Sequence, residues 1–343
     1  MSLKKDTPFI IPIFLPHLGC PHQCAFCNQT SITGVTPDTI SPETLRLLIT
    51  EFLEYKKTPR RSVQVSFYGG NFLGLKKDYI RILLDETTKF VKNKTVDSIR
   101  FSTRPDTISN NRLDIIKDYP VSTIEIGVQS MDNQVLAMAK RGHTALDTEK
   151  AVALLKEQNY DVGMQMMVGL PGDDETKSLF TAQRIAWLSP DFVRIYPTVV
   201  LAHSRLAVWY RNGKYMPWSL SRCVSLVKKL YLFFKSKKIP VIRMGLQATE
   251  DLAKDTTVLA GPYHPAFGHM VHSEIFMDMA VSLLEAERGS CDKIVITVHP
   301  RSISKIRGLK NKNVERLKKK FQINSLEIIP DVSLAQDKLR VIS

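Results

Sequence analysis

Between residues 10 and 198, short runs rich in β-branched and aromatic residues alternate with longer amphipathic stretches, and few folds can accommodate that order. Strand-like runs fall at 10–14, 63–67, 98–102, 123–128, 162–168 and 192–196, with helix-like stretches at 42–55, 77–92, 110–117, 147–158 and 175–187. A strand that returns through a helix runs parallel to its predecessor, so the repetition predicts a parallel sheet with helices on its outer face. Six such strands predict an α/β fold of the partial (βα)6 TIM-barrel type, with its site at the carboxyl ends of the strands. A cysteine-rich loop follows the first strand, Tyr68-Gly69-Gly70-Asn71 the second, and Gly169-Leu170-Pro171-Gly172 the fifth. Glycine at a strand end is an ordinary turn residue, so the cysteines carry more weight.

Cys20-Pro21-His22-Gln23-Cys24-Ala25-Phe26-Cys27 has the spacing C-x3-C-x2-C. The other cysteines of the five, Cys223 and Cys291, are remote, which is not the pattern of a disulfide framework in a 343-residue chain. Clustered thiols suggest metal. Three thiolates suit three irons of a 4Fe-4S cluster and leave the fourth iron open. A closed zinc site, with His17 or His22 as the fourth ligand, is the alternative; otherwise the two histidines are plain loop residues. Cys223 and Cys291 have no motif around them and read as buried structural thiols, or as hydrogen-atom donors if either lines the pocket.

With an aromatic residue, Phe26, before its last cysteine, this loop resembles the signature of the radical S-adenosylmethionine (SAM) superfamily, and the resemblance covers roughly residues 10–198. It implies a 4Fe-4S cluster held by Cys20, Cys24 and Cys27, with SAM as second cofactor. In that family the reduced cluster donates an electron to the sulfonium, and the resulting 5′-deoxyadenosyl radical removes a hydrogen atom from substrate. The resemblance also implies SAM contacts. Phe26 flanks the cluster, and Gly69 and Gly70 offer backbone to the methionine amino group, where only glycine permits so close an approach. Asn71 stands where the family often has an acid, and Ser102 where relatives often carry a glutamate toward the ribose. Gln129, in Ile124-Glu125-Ile126-Gly127-Val128-Gln129-Ser130, matches a ribose-facing glutamine. Arg141 matches an arginine near the cofactor carboxylate, a partner its planar fork suits. Gln165 and the Val168–Gly169 backbone match a motif bordering ribose and adenine. Met164, Met166 and Met167 read as core packing.

The phrases Phe67-Tyr68-Gly69-Gly70-Asn71-Phe72, Ser102-Thr103-Arg104-Pro105-Asp106, Gly127-Val128-Gln129-Ser130 and Met167-Val168-Gly169-Leu170-Pro171-Gly172 resemble the radical domain of the Elongator catalytic subunit and its bacterial relatives. Val193-Arg194-Ile195-Tyr196-Pro197-Thr198 and Tyr215 extend the likeness to about residue 252. Those enzymes also carry an acetyltransferase domain, for which too few residues remain here, so acetyl transfer in cis is not expected. By analogy the resemblance implies radical modification of tRNA, with a wobble uridine as target and an electron donor such as flavodoxin or ferredoxin.

Residues 199–290 hold a long apolar helix at 219–235, a strand at 241, a Pro/Gly-rich loop at 261–268 and a helix at 271–288. They read as an accessory extension of the 1–198 barrel, covering its mouth. In the loop His264 is a candidate proton donor or substrate contact, set against a simple structural turn. Trp209, Tyr210 and Trp218 read as packing residues.

Residues 291–343 read as a third, basic unit, with nine Lys or Arg between 301 and 320 against the single acid Glu315. Such a run is ordinarily a solvated face. Its order of strand (293–298), helix (303–306), helix (314–321) and strand (325–329) suggests more, because Arg307-Gly308-Leu309-Lys310-Asn311-Lys312 between the helices resembles the G-x-x-G loop of a KH domain. That resemblance implies RNA phosphates held by Arg307, Gly308, Lys310 and Lys312. Asn311 replaces the second glycine and tolerates the left-handed conformation.

A net charge of +14 makes tRNA or other RNA a candidate partner. The early apolar run 9–15 contains Pro12 and ends at Pro16, so no membrane span is predicted and the cytoplasm is the expected compartment. Two other readings stay open: a radical enzyme acting on a small molecule, and an RNA-binding protein whose cluster is structural or regulatory.

Overall fold

Seven strands form one sheet in which every neighbouring pair is parallel: β1 (Phe9–Phe14), β2 (Val63–Tyr68), β3 (Ser98–Thr103), β4 (Val121–Gln129), β5 (Asp161–Val168), β6 (Phe192–Pro197) and β8 (Val241–Met244). The structure is a computed structural model, and it describes residues 8–30, 38–55, 62–247, 249, 252, 256–286 and 293–342. Strand order follows the chain, which gives the open, partial barrel that the βα alternation predicts.

The connecting helices are α1 (Pro42–Glu54), α2 (Lys77–Lys92), α3 (Asn110–Leu113), α4 (Asn133–Met138), α5 (Ala145–Glu157) and α6 (Glu175–Trp187). Their starts are fixed locally. Ser41, Asp132 and Asp174 cap α1, α4 and α6 by accepting a backbone N–H, and Thr144 and Asp147 form a capping box on α5.

The two faces of the sheet differ in chemistry. Ile11, Ile13, Val65, Ile99, Phe101, Ile124, Ile126, Met164, Met166, Val193 and Ile195 are buried in one continuous apolar core. The alternate residues include Tyr68, Ser102, Glu125, Gly127, Gln165, Arg194 and Tyr196, which line a cavity inside the barrel. The apolar core therefore lies between sheet and helices, and the barrel interior carries a group of charged and hydroxyl side chains beside apolar ones such as Pro12, Phe14 and Met167.

The region after residue 198 does more than cover the mouth. Helix α8 (Leu220–Ser236) buries Cys223, Val224, Leu226, Val227, Leu230 and Phe234 in the same core as the barrel helices, and β8 extends the sheet beyond β6. The sequence reading put this pair in a covering layer; the structure makes it a seventh strand and its helix. Over the mouth lie α7 (Arg205–Arg211) and the short antiparallel pair β7 (Val200–Leu201) and β9 (Val258–Ala260).

Helix α9 (Phe267–Ala286) leads out of the barrel. Its Phe267 and Val271 sit in the barrel core, whereas Phe276, Met277, Ala280 and Leu284 belong to the core of the C-terminal unit. That unit is a three-stranded sheet, β11 (Ser325–Pro330), β10 (Lys293–Val298) and β12 (Leu339–Ile342), with β10 and β11 parallel. Between β10 and β11 run α10 (Ile303–Arg307) and α11 (Lys312–Phe321). Among the described residues, no helix is long and apolar enough to cross a membrane.

Candidate functional site

A cavity of about 610 Å³ opens at the carboxyl ends of the barrel strands. Cys20, Cys24 and Cys27 all line it. Their loop is tied from two sides. Ala25 N–H donates to the Ala139 carbonyl (2.9 Å), while the Ala25 carbonyl accepts from Leu206 N–H (2.7 Å) at the start of α7. The Asn28 side chain donates to the Ala202 carbonyl at 2.7 Å. Barrel and extension thus both hold the cysteines, a function of the extension that its sequence did not reveal.

Gly69 and Gly70 border the same cavity. A side chain on Gly70 has no room: a Cβ there would lie 2.4 Å from the Leu18 carbonyl oxygen and 2.5 Å from that of Leu15. Asn71 is a correction to the expected set of cofactor contacts. It is fully buried, and its side chain donates to the Gly19 carbonyl (2.8 Å) while accepting from Thr103 Oγ1 (2.7 Å), Thr107 Oγ1 (2.9 Å) and Arg104 N–H (3.0 Å). An amide can donate and accept at once, so Asn71 braces the glycine turn against the cysteine loop.

Gln129 ends β4 with φ +69°, where the ladder to β5 shifts register. The bulge turns Gln129 into the cavity, and its buried Oε1 has no partner. Arg141 lines the cavity, donates through Nη1 to Cys24 Sγ at 3.2 Å and through Nη2 to the Gly127 carbonyl, and leaves Nε unpaired. Ser102, Gln165 and Phe26 also line it. Val168 and Gly169 do not. Val168 is buried in the apolar core with its carbonyl accepting from Thr198 N–H (2.9 Å). The Gly169 N–H is taken by Asp173 (2.8 Å) and its carbonyl by the Tyr215 hydroxyl (2.6 Å). That commitment corrects the expectation that this backbone faces a cofactor.

His264 is corrected likewise. Its Nδ1 accepts from Ala266 N–H (3.0 Å) and its carbonyl from Phe267 N–H (3.0 Å), so it caps the entry to α9 and is not among the cavity-lining residues. His17 and His22 do line the cavity, but His17 Nε2 accepts from Gln29 N–H at 2.9 Å. His22 also borders the cavity beside the glycine turn at Gly142. Cys223 is buried in α8 away from the cavity, its thiol pushed up to about 12 by burial; Cys291 lies outside the described residues.

Two classes of residue escaped the sequence reading. One is Arg104, quoted within a motif but given no role. It is buried, pairs with Asp106 (2.9 Å), donates to the Arg141 carbonyl and approaches Cys24 Sγ to 3.8 Å. The other is an ionic group inside the barrel. Glu125 pairs with Arg100 Nε (2.6 Å) and Arg194 Nε (2.8 Å), and Arg194 reaches the hydroxyls of Tyr68 (3.1 Å) and Tyr196 (3.3 Å). The signal for it was polar residues at every second strand position.

Electrostatics sets the thiols apart. Burial, then the neighbouring Cys24, raises Cys20; the same two causes and Cys20 push Cys27 up to about 12. Thiols crowded and desolvated in this way ionise when positive charge compensates them, as bound metal does. The Arg141 and Arg104 guanidiniums supply part of that charge. Three thiols, a glycine turn with no space for a side chain and an orphan Gln129 amide oxygen fit a site-differentiated 4Fe-4S cluster with SAM beside it.

In the C-terminal unit Arg307, Lys310 and Lys312 are exposed around Gly308, whose φ is +70°. Lys310 (φ +51°) and Asn311 (φ +59°) are both left-handed. Asn313 ties this loop to α9 by donating to the Ser273 carbonyl at 2.9 Å, and Arg316 pairs with Glu274 at 2.6 Å.

Comparison with known proteins accords with this geometry. The model of the radical SAM superfamily matches residues 14–180, and that of the radical SAM C-terminal domain matches residues 190–276. A tRNA uridine(34) acetyltransferase of Dehalococcoides mccartyi is 25% identical over 258 residues, covering 66% of this chain and 56% of that protein. Elongator complex protein 3 of Homo sapiens is 28% identical over 262 residues, covering 63% and 47%. The chain thus spans about half the length of these relatives. The archaeal Methanocaldococcus infernus Elp3 with an N-terminal deletion shares the fold, with a TM-score of 0.61 at 20% identity over 78% of this chain and 62% of that one. Cysteine loop, glycine turn, parallel half-barrel and both matched domains agree: the chain belongs to the radical SAM superfamily, and it is similar there to Elongator-type proteins.

Proposed function

We propose that this protein is a radical SAM enzyme that modifies tRNA, with a wobble uridine as its target. The observation that carries the reading is the meeting of Cys20, Cys24, Cys27, Gly69, Gly70 and Gln129 at one cavity on the carboxyl side of a parallel sheet. When bound, the cluster supplies one-electron reductive cleavage of SAM to a 5′-deoxyadenosyl radical.

The chain's own residues do the rest. Cys20, Cys24 and Cys27 would hold three irons, and Arg141 and Arg104 place their guanidiniums against the Cys24 sulfur. Gly69 and Gly70 admit the methionine moiety against bare backbone, and Gln129 Oε1 accepts from a ribose hydroxyl. Val199, Leu201 and Leu246 wall the cavity and keep water from the reacting atoms. Exposed Arg307, Lys310 and Lys312 hold phosphates of the RNA, a role supported by the strand–helix–loop–helix–strand order around Gly308. A flavodoxin or ferredoxin delivers the electron, and the reducing cytoplasm suits the free thiols. The relatives named as tRNA uridine acetyltransferases support tRNA as the substrate class.

The test is anaerobic reconstitution with iron and sulfide, reduction with dithionite, and measurement of 5′-deoxyadenosine with and without bulk tRNA. Deoxyadenosine that rises with tRNA is expected. Formation indifferent to tRNA would transfer the reading to a small-molecule substrate, and none from cluster-replete protein would leave the cluster a structural or regulatory role.

A further inference from the structure

One charged and hydroxyl-bearing group inside the barrel is not used by the contacts assigned to SAM. Tyr68, Glu125, Arg194, Tyr196 and Arg243 line the same cavity, drawn from four different strands. Arg194 on β6 reaches the Tyr68 hydroxyl on β2, a contact across the lumen that defines a floor. Small parallel barrels normally fill this volume with branched aliphatic side chains, so a charged and hydroxyl-rich floor calls for a ligand.

The floor is rich in donors and poor in acceptors. Its carboxylate, Glu125, is already engaged by both Arg100 and Arg194. The other guanidinium that lines the cavity, Arg243, is half-buried and has no side-chain hydrogen bond or ion pair among the described residues. On the floor itself two positive charges, Arg194 and Arg243, thus stand against one negative charge. The hydroxyls of Tyr68 and Tyr196 accept from Arg194, which leaves each O–H proton free to donate into the cavity. Burial first, and Glu125 second, raise the Tyr68 hydroxyl above its ordinary range and keep that proton in place. Free donors and surplus positive charge in a desolvated space match an acceptor-only anion, a carboxylate or a phosphate group.

We propose that the cavity takes two ligands, and that its floor binds a small anionic co-substrate whose carboxylate or phosphate is seated on Arg243 and the Tyr68 and Tyr196 hydroxyls. The co-substrate's role in a transfer to RNA rests on the function proposed above; its binding does not.

The experiment uses reconstituted protein saturated with SAM. Thermal melting is followed against sodium acetate and, separately, inorganic phosphate, with chloride holding ionic strength constant, because a ligand of the folded state raises the midpoint with concentration. One of the two anions should stabilise the wild type, which also tells carboxylate from phosphate recognition. Its apparent affinity should fall about tenfold in Arg243→Gln and persist in Lys76→Glu with Lys77→Glu, two exposed residues at the start of α2 that are given no binding role. Should Arg243→Gln fail to fold, Tyr196→Phe removes one donor at nearly constant shape and is expected to weaken the same anion severalfold. Equal anion response in wild type and the cavity variants, or a response lost only in the lysine pair, overturns the proposal. Absence of deoxyadenosine from wild type with the anion response intact would sink the radical reading and leave the floor site standing.

Discussion

Cys24 is the most buried of the three clustered thiols, and two guanidiniums approach its sulfur. Replacing it with alanine removes an iron ligand but little volume. Cys24→Ala should therefore lose bound iron and sulfide after reconstitution while its far-ultraviolet circular dichroism stays that of wild type; normal cluster content would remove the ligand assignment. Gly70 allows a sharper comparison. In Gly70→Ala the new methyl meets two backbone carbonyls that no rotamer can move, whereas in Gly213→Ala nothing lies within 4 Å and only the left-handed φ of +69° is strained. We expect Gly213→Ala to lose about 1 kcal/mol in denaturant unfolding and Gly70→Ala about 2–3 kcal/mol with weakened SAM binding. At this scale the sequence revealed what a motif carries within one loop, the cysteines and glycines. It was silent where partners come from distant strands. Arg104 beside Cys24 and Arg243 near Arg194 share no local pattern, because only closure of the barrel brings them together.

Among the elements, strands and helices were legible because their periods differ, and the apolar outer faces of β1 to β6 announce themselves every second residue. The α8–β8 unit was not read as part of the barrel. β8 has four residues and follows an excursion through α7, so its strand signal is short and displaced. Helix α8 is also the setting of a pH-dependent contact. His272 on α9 packs edge-on against Tyr231 of α8 with ring centroids 5.0 Å apart. Burial first, then Lys305, His269 and Lys235, lower its pKa from an ordinary 6.5 to about 4. The folded state thus prefers the neutral ring. Its contribution is complete above the ordinary pKa and is lost as pH falls from about 6.5 toward about 4, where the unfolded chain takes up the proton first. Relative to wild type, His272→Gln should gain on the order of 1–2 kcal/mol between neutral pH and about pH 4.5, measured by urea unfolding at each pH. A constant difference across that range would show that the imidazole is not held neutral.

The whole molecule joins a cavity in the barrel to a basic loop carried by a separate small core. If that loop holds RNA phosphates, Arg307→Glu combined with Lys310→Glu should weaken tRNA binding at least tenfold and reduce the slope of log affinity against log salt by about two. Binding unchanged in affinity and salt response would remove the KH-like role. The link between the two parts is α9, whose first turns are buried with the barrel and whose last turns are buried with the C-terminal sheet. A helix of 20 residues is about 30 Å long and does not compress. The basic loop is tied not to its far end but to its first two turns, through Ser273 and Glu274, and those same turns pack with the barrel through Phe267 and Val271. Any RNA held by that loop would then be offered to the cavity in one register, set by two helical turns and indifferent to how far α9 continues beyond them.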